Sequence, residues 1–234
     1  MIERRNFLKT LLAALPGVMI PWGCGSKAQD KLGQLLPMRK LGRTGKAVTM
    51  LGIGGYHVGW TTEPDAEAVI ETALAGGVRF FDTAEGYSNG RSEERYGKYL
   101  VPKGREHVFI LTKTGAKDGA TAQQHLDDAL RRMKTDYLDL WQVHAIGTPE
   151  DVDRRIEGGV LDVFEKAKAS GKTRFIGFTG HRNPAAHLRM LERTADSDMF
   201  DTCQMPVNLL DPSYHSFIEQ VTPILQQRNI ALLA

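Results

Sequence analysis

VRFFDTAEGYSNGRSEERYG, residues 78–97, is the stretch on which the fold turns. Val78, Arg79, Phe80 and Phe81 have strand character, and the run ends on an acid, Asp82. The chain then passes into a loop of Glu85, Gly86, Ser88, Asn89 and Gly90 that carries Tyr87. Read alone, Asp82 caps a turn and Tyr87 is loop surface. The flanks change the reading. Upstream, Thr62-x-x-Asp65 is a capping box with Pro64 in the first turn, and Val69, Ile70, Ala73 and Leu74 form one apolar helical face stopped by Gly76-Gly77. Downstream, Ser92 caps a helix whose first turn carries Glu93 and Glu94, where the helix dipole favours acids. The stretch is thus a strand set between two amphipathic helices.

The same unit recurs to the end of the chain. Strands are predicted at Val108–Leu111, Tyr137–Val143, Phe175–Phe178 and Thr202–Met205, with a last one beginning at Ile230–Ala234. Helices are predicted from Thr121-x-x-Gln124 through Leu126, Leu130 and Met133, then over Val160–Ala169, Pro184–Glu192 and Phe217–Gln227. Before the first unit, Arg39–Lys46 reads as a small β-hairpin or arm, turning at Thr44-Gly45, that feeds a strand over about Val48–Ile53. Short apolar strands alternating with helices imply a parallel α/β fold. Six complete βα units and the start of a seventh fit a (β/α)8 TIM barrel, incomplete at its C-terminal end and preceded by the hairpin, since that fold needs roughly 250 residues. The rival, a doubly wound sheet, requires a glycine fingerprint at the first strand–helix turn. Gly52-Ile-Gly54-Gly55-Tyr-His puts His57 where the third glycine belongs, so that motif fails.

The 234 residues, with 41% hydrophobic and 25% charged and a formal net charge of +2, have an ordinary globular composition without the basic stripe of a nucleic-acid surface. Residues 1–28 stand apart. Arg4-Arg5-Asn6-Phe7-Leu8-Lys9, an apolar run from Leu11 to Ile20 too short to leave a stable membrane span, and then Pro, Gly and Cys have the layout of a twin-arginine (Tat) export signal. The expected destination is the periplasm, with the Tat machinery as export partner. Ser26-Lys27-Ala28 offers a cleavage site, and Gly23-Cys24 an alternative as a lipid anchor, against which Pro21 argues. Residues 29–37 read as a linker and 38–234 as the barrel domain. Cys24 and Cys203 are the two cysteines, so no disulfide is expected within the exported chain.

In such barrels chemistry occurs at the C-terminal ends of the strands. Those ends carry Asp82 with Tyr87 in its loop, Lys113, His144, Thr179-Gly180-His181 and Gln204. A buried Asp–Lys pair is often structural and a lone His is often a core residue. Here an acid, a base, an imidazole and a phenol converge on one mouth, where burying them without purpose is costly. A free phenol titrates near 10, too high to donate readily at neutral pH. An adjacent Lys113 ammonium is expected to lower that value, with Asp82 holding Lys113. His144 can orient a carbonyl oxygen. No side chain donates hydride, so a nicotinamide cofactor is implied.

The tetrad Asp82, Tyr87, Lys113 and His144, within FFDTAEGYSNGRSEERYGKYL, ILTKT and TDYLDLWQVHA, resembles that of the aldo/keto reductases. SGKTRFIGFTG and the opening MRKLGRTGKAVTMLGIGG are similar to that family's other signatures, so the likeness runs from Met38 to Ala234. It implies NADPH, with NADH as the alternative, and reduction of a small-molecule aldehyde or ketone. Tyr87 would be the general acid, Gln204 would hold the nicotinamide carboxamide, and the backbone of Gly54, Gly55 and Tyr56 would approach the ligand. Where the family has Ser-Asn after the fifth strand, this chain has Thr179-Gly180. Thr179 keeps a hydroxyl but Gly180 offers no amide; either His181 or Asn183 compensates, or nicotinamide binding is weaker. Two further readings remain: a cofactor-binding protein with slow or regulatory turnover, and a metal-dependent hydrolase using Asp82, His144 and His181. The hydrolase reading lacks a His-x-His on the first strand and gives Tyr87 and Lys113 no role. Tyr56, Trp60 and Trp141 are candidates for a substrate pocket.

Overall fold

The computed structural model describes residues 28–234, so the twin-arginine segment and Cys24 lie outside the described residues. The segment read as a linker carries a small antiparallel hairpin, β1 (Gln29–Asp30) and β2 (Gly33–Gln34). Asp30 fixes it by a bidentate pair with the buried Arg79, at 2.8 and 2.9 Å. A second hairpin, β3 (Met38–Lys40) and β4 (Ala47–Thr49), follows with a 3₁₀ turn at Gly42–Thr44 between its strands. The strand predicted over Val48–Ile53 is therefore divided, and only its end belongs to the main sheet.

That sheet runs β5 (Gly52–Gly54), β6 (Phe80–Asp82), β7 (Phe109–Thr114), β8 (Leu138–Val143), β9 (Thr173–Thr179), β10 (Thr202–Gln204) and β11 (Ala231–Leu233). Each strand pairs in parallel with its successor in the chain, and β5 and β11 are the edges. The sheet is curled. In a flat sheet β6 and β10, four strands apart, would be separated by roughly 19 Å. Yet Gln204 Nε2 on β10 donates to Asp82 Oδ2 on β6 at 3.0 Å. This is the α/β architecture of a (β/α)8 barrel short of closure.

Alternation along the strands separates two interiors. Phe80, Phe109 and Phe175 point inward and stack, with centroids 5.3 and 6.4 Å apart. Leu41 and Val48 of the second hairpin pack with Phe109, Leu111, Leu140 and Ala231, closing the barrel floor. Intervening residues face the helices: Phe81 meets Tyr96, and Trp141 stacks flat on Phe164 at 3.8 Å. Trp141 is 1% exposed and thus a core residue, which removes it from the substrate pocket.

Several predicted helix starts shift. Thr62 does cap its helix, accepting from Asp65 N, but Val69 on the supposed apolar face is exposed. Helix Gly119–Met133 is capped by Asp118, which accepts from Thr121 N at 2.9 Å, one turn before the predicted cap. Ser92 caps nothing: it is buried, donates to Gly55 O at 2.8 Å and accepts from Thr83 Oγ1 at 2.7 Å. Glu93 is buried as well, held by Thr112 and Arg132 instead of facing solvent. Helix Pro149–Glu157 lies between the predicted strand Tyr137–Val143 and helix Val160–Ala169, where no element is predicted, and Phe217–Gln227 divides at Val221.

Candidate active site

Register places the inward residues on rising levels of the mouth. Asp82 pairs with Leu111, so Lys113 stands two residues higher on β7, level with Gln142 of β8. His144 follows directly after β8, and Thr179 is level with Gln204. Such stagger is the shear of a barrel. It lets the Lys113 chain reach back to Asp82, with which it forms a close ion pair, while donating to Thr83 O at 2.8 Å. Lys113 is 2% exposed, so both of these contacts replace water.

Tyr87 reaches the same ammonium from its loop. Ser88, Asn89 and Gly90 all have positive φ (52°, 55° and 84°), a left-handed reversal suited to Asn and Gly. The reversal returns the chain into helix Arg91–Arg95 and leaves the half-buried phenol facing inward, its OH 3.4 Å from Lys113 Nζ. The Lys113 ammonium also lies 4.9 Å from the Tyr87 ring centroid. His144 meets that ring edge-on at 5.7 Å, and its own backbone N–H donates to Thr114 O at 2.8 Å. Asp82, Tyr87, Lys113 and His144 are therefore brought together as expected from the sequence.

Their electrostatics differ from the expectation in one respect. Burial pushes the Tyr87 phenol above its ordinary range, and the Asp82 carboxylate pushes it further in the same direction. Lys113 was expected to lower it. Its charge is matched at contact by Asp82, and 3.4 Å is the outer edge of a hydrogen bond. Burial also pulls Lys113 below the usual lysine range, with Asp82 opposing that pull. His144 is drawn down to about 3, first by burial and then by the Lys113 and Arg155 charges, so its imidazole is neutral at physiological pH. The site thus holds a protonated phenol and a neutral imidazole side by side, two groups able to hydrogen-bond one carbonyl oxygen.

On the opposite wall, Gln204 donates its amide to Asp82, while its Oε1 is buried without a partner. An orphaned buried acceptor costs about 1–3 kcal/mol unless a ligand supplies a donor. A nicotinamide carboxamide offers such a donor, and the buried Thr179 hydroxyl on the neighbouring strand offers another contact. These residues fit that group. Of the two candidates to replace the missing amide at Gly180, Asn183 commits its side-chain oxygen to capping helix Pro184–Arg193, accepting from Ala185 N at 2.9 Å, and His181 is exposed. Gly54 is open at the mouth, but a Cβ on Gly55 would strike the Asp82 carbonyl and Ser92 Oγ, so Gly55 is glycine to seat Asp82. Tyr56 is exposed and edge-on to Tyr87 at 5.5 Å, with exposed Trp60 beyond it. Three contributors lay outside the sequence reading: the Thr83 carbonyl, Gln142 and the buried His187. Gln142, predictable from strand alternation, donates to Thr202 Oγ1 at 3.1 Å.

Among the described residues no three His, Cys, Asp or Glu side chains gather to hold a metal, and Asp82 is engaged by Lys113 and Gln204. No described helix is long and apolar enough to cross a membrane.

Residues 50–234 match the profile of the aldo/keto reductase family. Among curated proteins, L-galactose dehydrogenase of Arabidopsis thaliana is 34% identical over 161 residues, covering 62% of this chain and 49% of that one. Among solved structures, an aldo-keto reductase from Bacillus halodurans in its holo form superposes with a TM-score of 0.72 at 28% identity, over 85% of this chain and 65% of that one. An aldo-keto reductase from Klebsiella pneumoniae in complex with NADPH gives 0.67 at 27% identity, over 82% and 65%. The chain spans between about half and two thirds of the length of curated relatives it matches.

Proposed function

The chain belongs to the aldo/keto reductase family, and on that premise we propose that it reduces aldehyde or ketone carbonyls to alcohols with NADPH. The observation that carries this reading is the meeting of the Tyr87 hydroxyl, the Lys113 ammonium and the His144 ring above a buried Asp82. When bound, the cofactor supplies the hydride. Gln204 and Thr179 would hold its carboxamide. Tyr87 and His144 hydrogen-bond the substrate oxygen, drawing electron density from the carbonyl carbon. As charge develops on that oxygen, Tyr87 transfers its proton, and Lys113 stabilises the phenolate left behind. His144, neutral, orients the oxygen without competing as an acid.

The variant Tyr87→Phe tests the assignment. It should bind NADPH within about twofold of the parent and lose at least about 100-fold in kcat for carbonyl reduction, the scale of general-acid catalysis. Retention of reductase turnover near the parent rate would remove Tyr87 from the mechanism. The export motif at Arg4-Arg5 supports a periplasmic site of action.

A further inference from the structure

His187 is fully buried, carries an ionisable ring and has no part in the chemistry above. It stands in the first turn of helix Pro184–Arg193, whose start is fixed by the Asn183 cap. Its ring is boxed by Phe178 at 5.6 Å and by Phe217, edge-on, at 5.1 Å. Burial draws its pKa down to about 4, so the ring is neutral and bears one proton. Nε2 lies 3.4 Å from the Gln204 carbonyl, a group that only accepts, so in the Nε2–H tautomer the ring donates to Gln204. Nδ1 is buried without a well-formed hydrogen bond, and the ring also faces the Asn183 backbone. The same carbonyl accepts from Gly180 N at 3.3 Å.

The residue after Thr179 explains why the ring is there. A Cβ on Gly180 would lie 2.5 Å from Ile146 O and 2.8 Å from His187 Cε1, closer than such contacts occur. The volume that a side chain at 180 would need is filled by the imidazole and the Ile146 backbone. Glycine at 180 and histidine at 187 are therefore one packing solution. It places two donors, one from each residue, on the main chain of the glutamine whose side chain offers the unpartnered Oε1.

We infer that His187 is a positioning residue for the nicotinamide end of the cofactor site: it fills the space above Gly180 and fixes the end of β10 so that Gln204 presents its amide. This rests on the NADP(H) reading above. The ring takes over by packing what a side-chain amide at 180 would do by direct contact.

The test compares the full-length protein with His187→Leu and His187→Gln, using two probes: NADPH, and 2′,5′-ADP, which lacks nicotinamide. Leucine retains bulk but removes the donor, whereas glutamine retains an N–H of similar reach. His187→Leu should weaken NADPH binding about fivefold, the scale of one lost hydrogen bond, and leave 2′,5′-ADP binding unchanged. His187→Gln should restore NADPH affinity to within about twofold. Unchanged NADPH affinity in His187→Leu, or equal weakening for both probes, would overturn the inference while leaving the cofactor reading intact. Failure of the parent protein to bind either probe would overturn both. Gly180→Ala provides an independent arm should His187→Leu not fold: its methyl displaces the ring, and the same selective loss of NADPH affinity is expected.

Discussion

Replacing Lys113 by Met removes the cation on which the site is built and leaves an apolar chain of similar length. Lys113 is 2% exposed, is ion-paired with Asp82 and donates to Thr83 O and toward Tyr87. Met satisfies none of these. The Asp82 carboxylate then keeps only the Gln204 amide, and Thr83 O loses its ammonium donor. Breaking a buried pair from one side costs about 3–5 kcal/mol, mostly from the charge left behind. For a chain of this size that corresponds to about 6–20 °C in Tm. The diagnostic step is the double variant Asp82→Asn/Lys113→Met, which removes both charges. It should be at least about 2 kcal/mol more stable than the sum of the single losses predicts, because neither residue then leaves an unpaired charge. Urea unfolding with linear extrapolation measures all four proteins. Tyr87→Phe, which loses one long contact, should lie within about 1 kcal/mol of the parent. Stability of Lys113→Met within that same range, or strict additivity in the double variant, would show that the pair is not a desolvated unit and would refute the reasoning.

The folded-state value of about 3 for His144 lies below its ordinary value of 6.5, so the unfolded chain binds the proton more tightly. The stability contributed by the neutral ring is complete above about pH 6.5 and is lost as pH falls toward 3; between pH 7 and 5, His144→Gln should therefore lose about 2 kcal/mol less than the parent in urea unfolding. The same neutrality predicts no limb near pH 6.5 in the kcat/KM profile of the parent, and a limb there that vanishes in His144→Gln would contradict the assignment. Changing Arg4-Arg5 to Lys-Lys should leave the protein in the cytoplasm with its reductase activity intact, as read by cell fractionation, whereas undiminished periplasmic delivery would dismiss the twin-arginine reading.

The tetrad was legible because each member sits at or just after a strand end, and alternation alone brings strand ends to one mouth. What escaped the sequence reading depended on partners distant in the chain or on ambiguous local signals. Thr148-Pro149-Glu150-Asp151 carries the cap, proline and acids of a helix start, yet Val152 and Ile156 are too few to mark an apolar face, so no helix is predicted there. Asp118 and Thr121 are both competent caps three residues apart, and only the backbone decides that Asp118 accepts. Ser92 and Glu93 look like a helix start in sequence, but packing of Gly55 against β6 draws Ser92 inward, and Thr112 of β7 with Arg132 claims Glu93. His187 carried no signal of its own, because the carbonyl it meets is 17 residues away.

The Tyr87 shift marks the same boundary at the level of chemistry. Residue types established that a phenol, an ammonium and a carboxylate meet, and from the types alone the ammonium was expected to dominate. The sign of a pKa shift is instead set by burial and by the order of distances. Lys113 is in contact with Asp82 and only at 3.4 Å from Tyr87, so the phenol faces a nearly compensated pair while also losing water. Burial then decides, and the phenol is held in its protonated form. In the proposed mechanism a donor in this state keeps its proton at rest and gives it up only when charge grows on an oxygen placed against it. Asp82 therefore has two effects that oppose each other at Tyr87: it holds the lysine that would stabilise a phenolate in the proposed mechanism, and it disfavours that phenolate at rest.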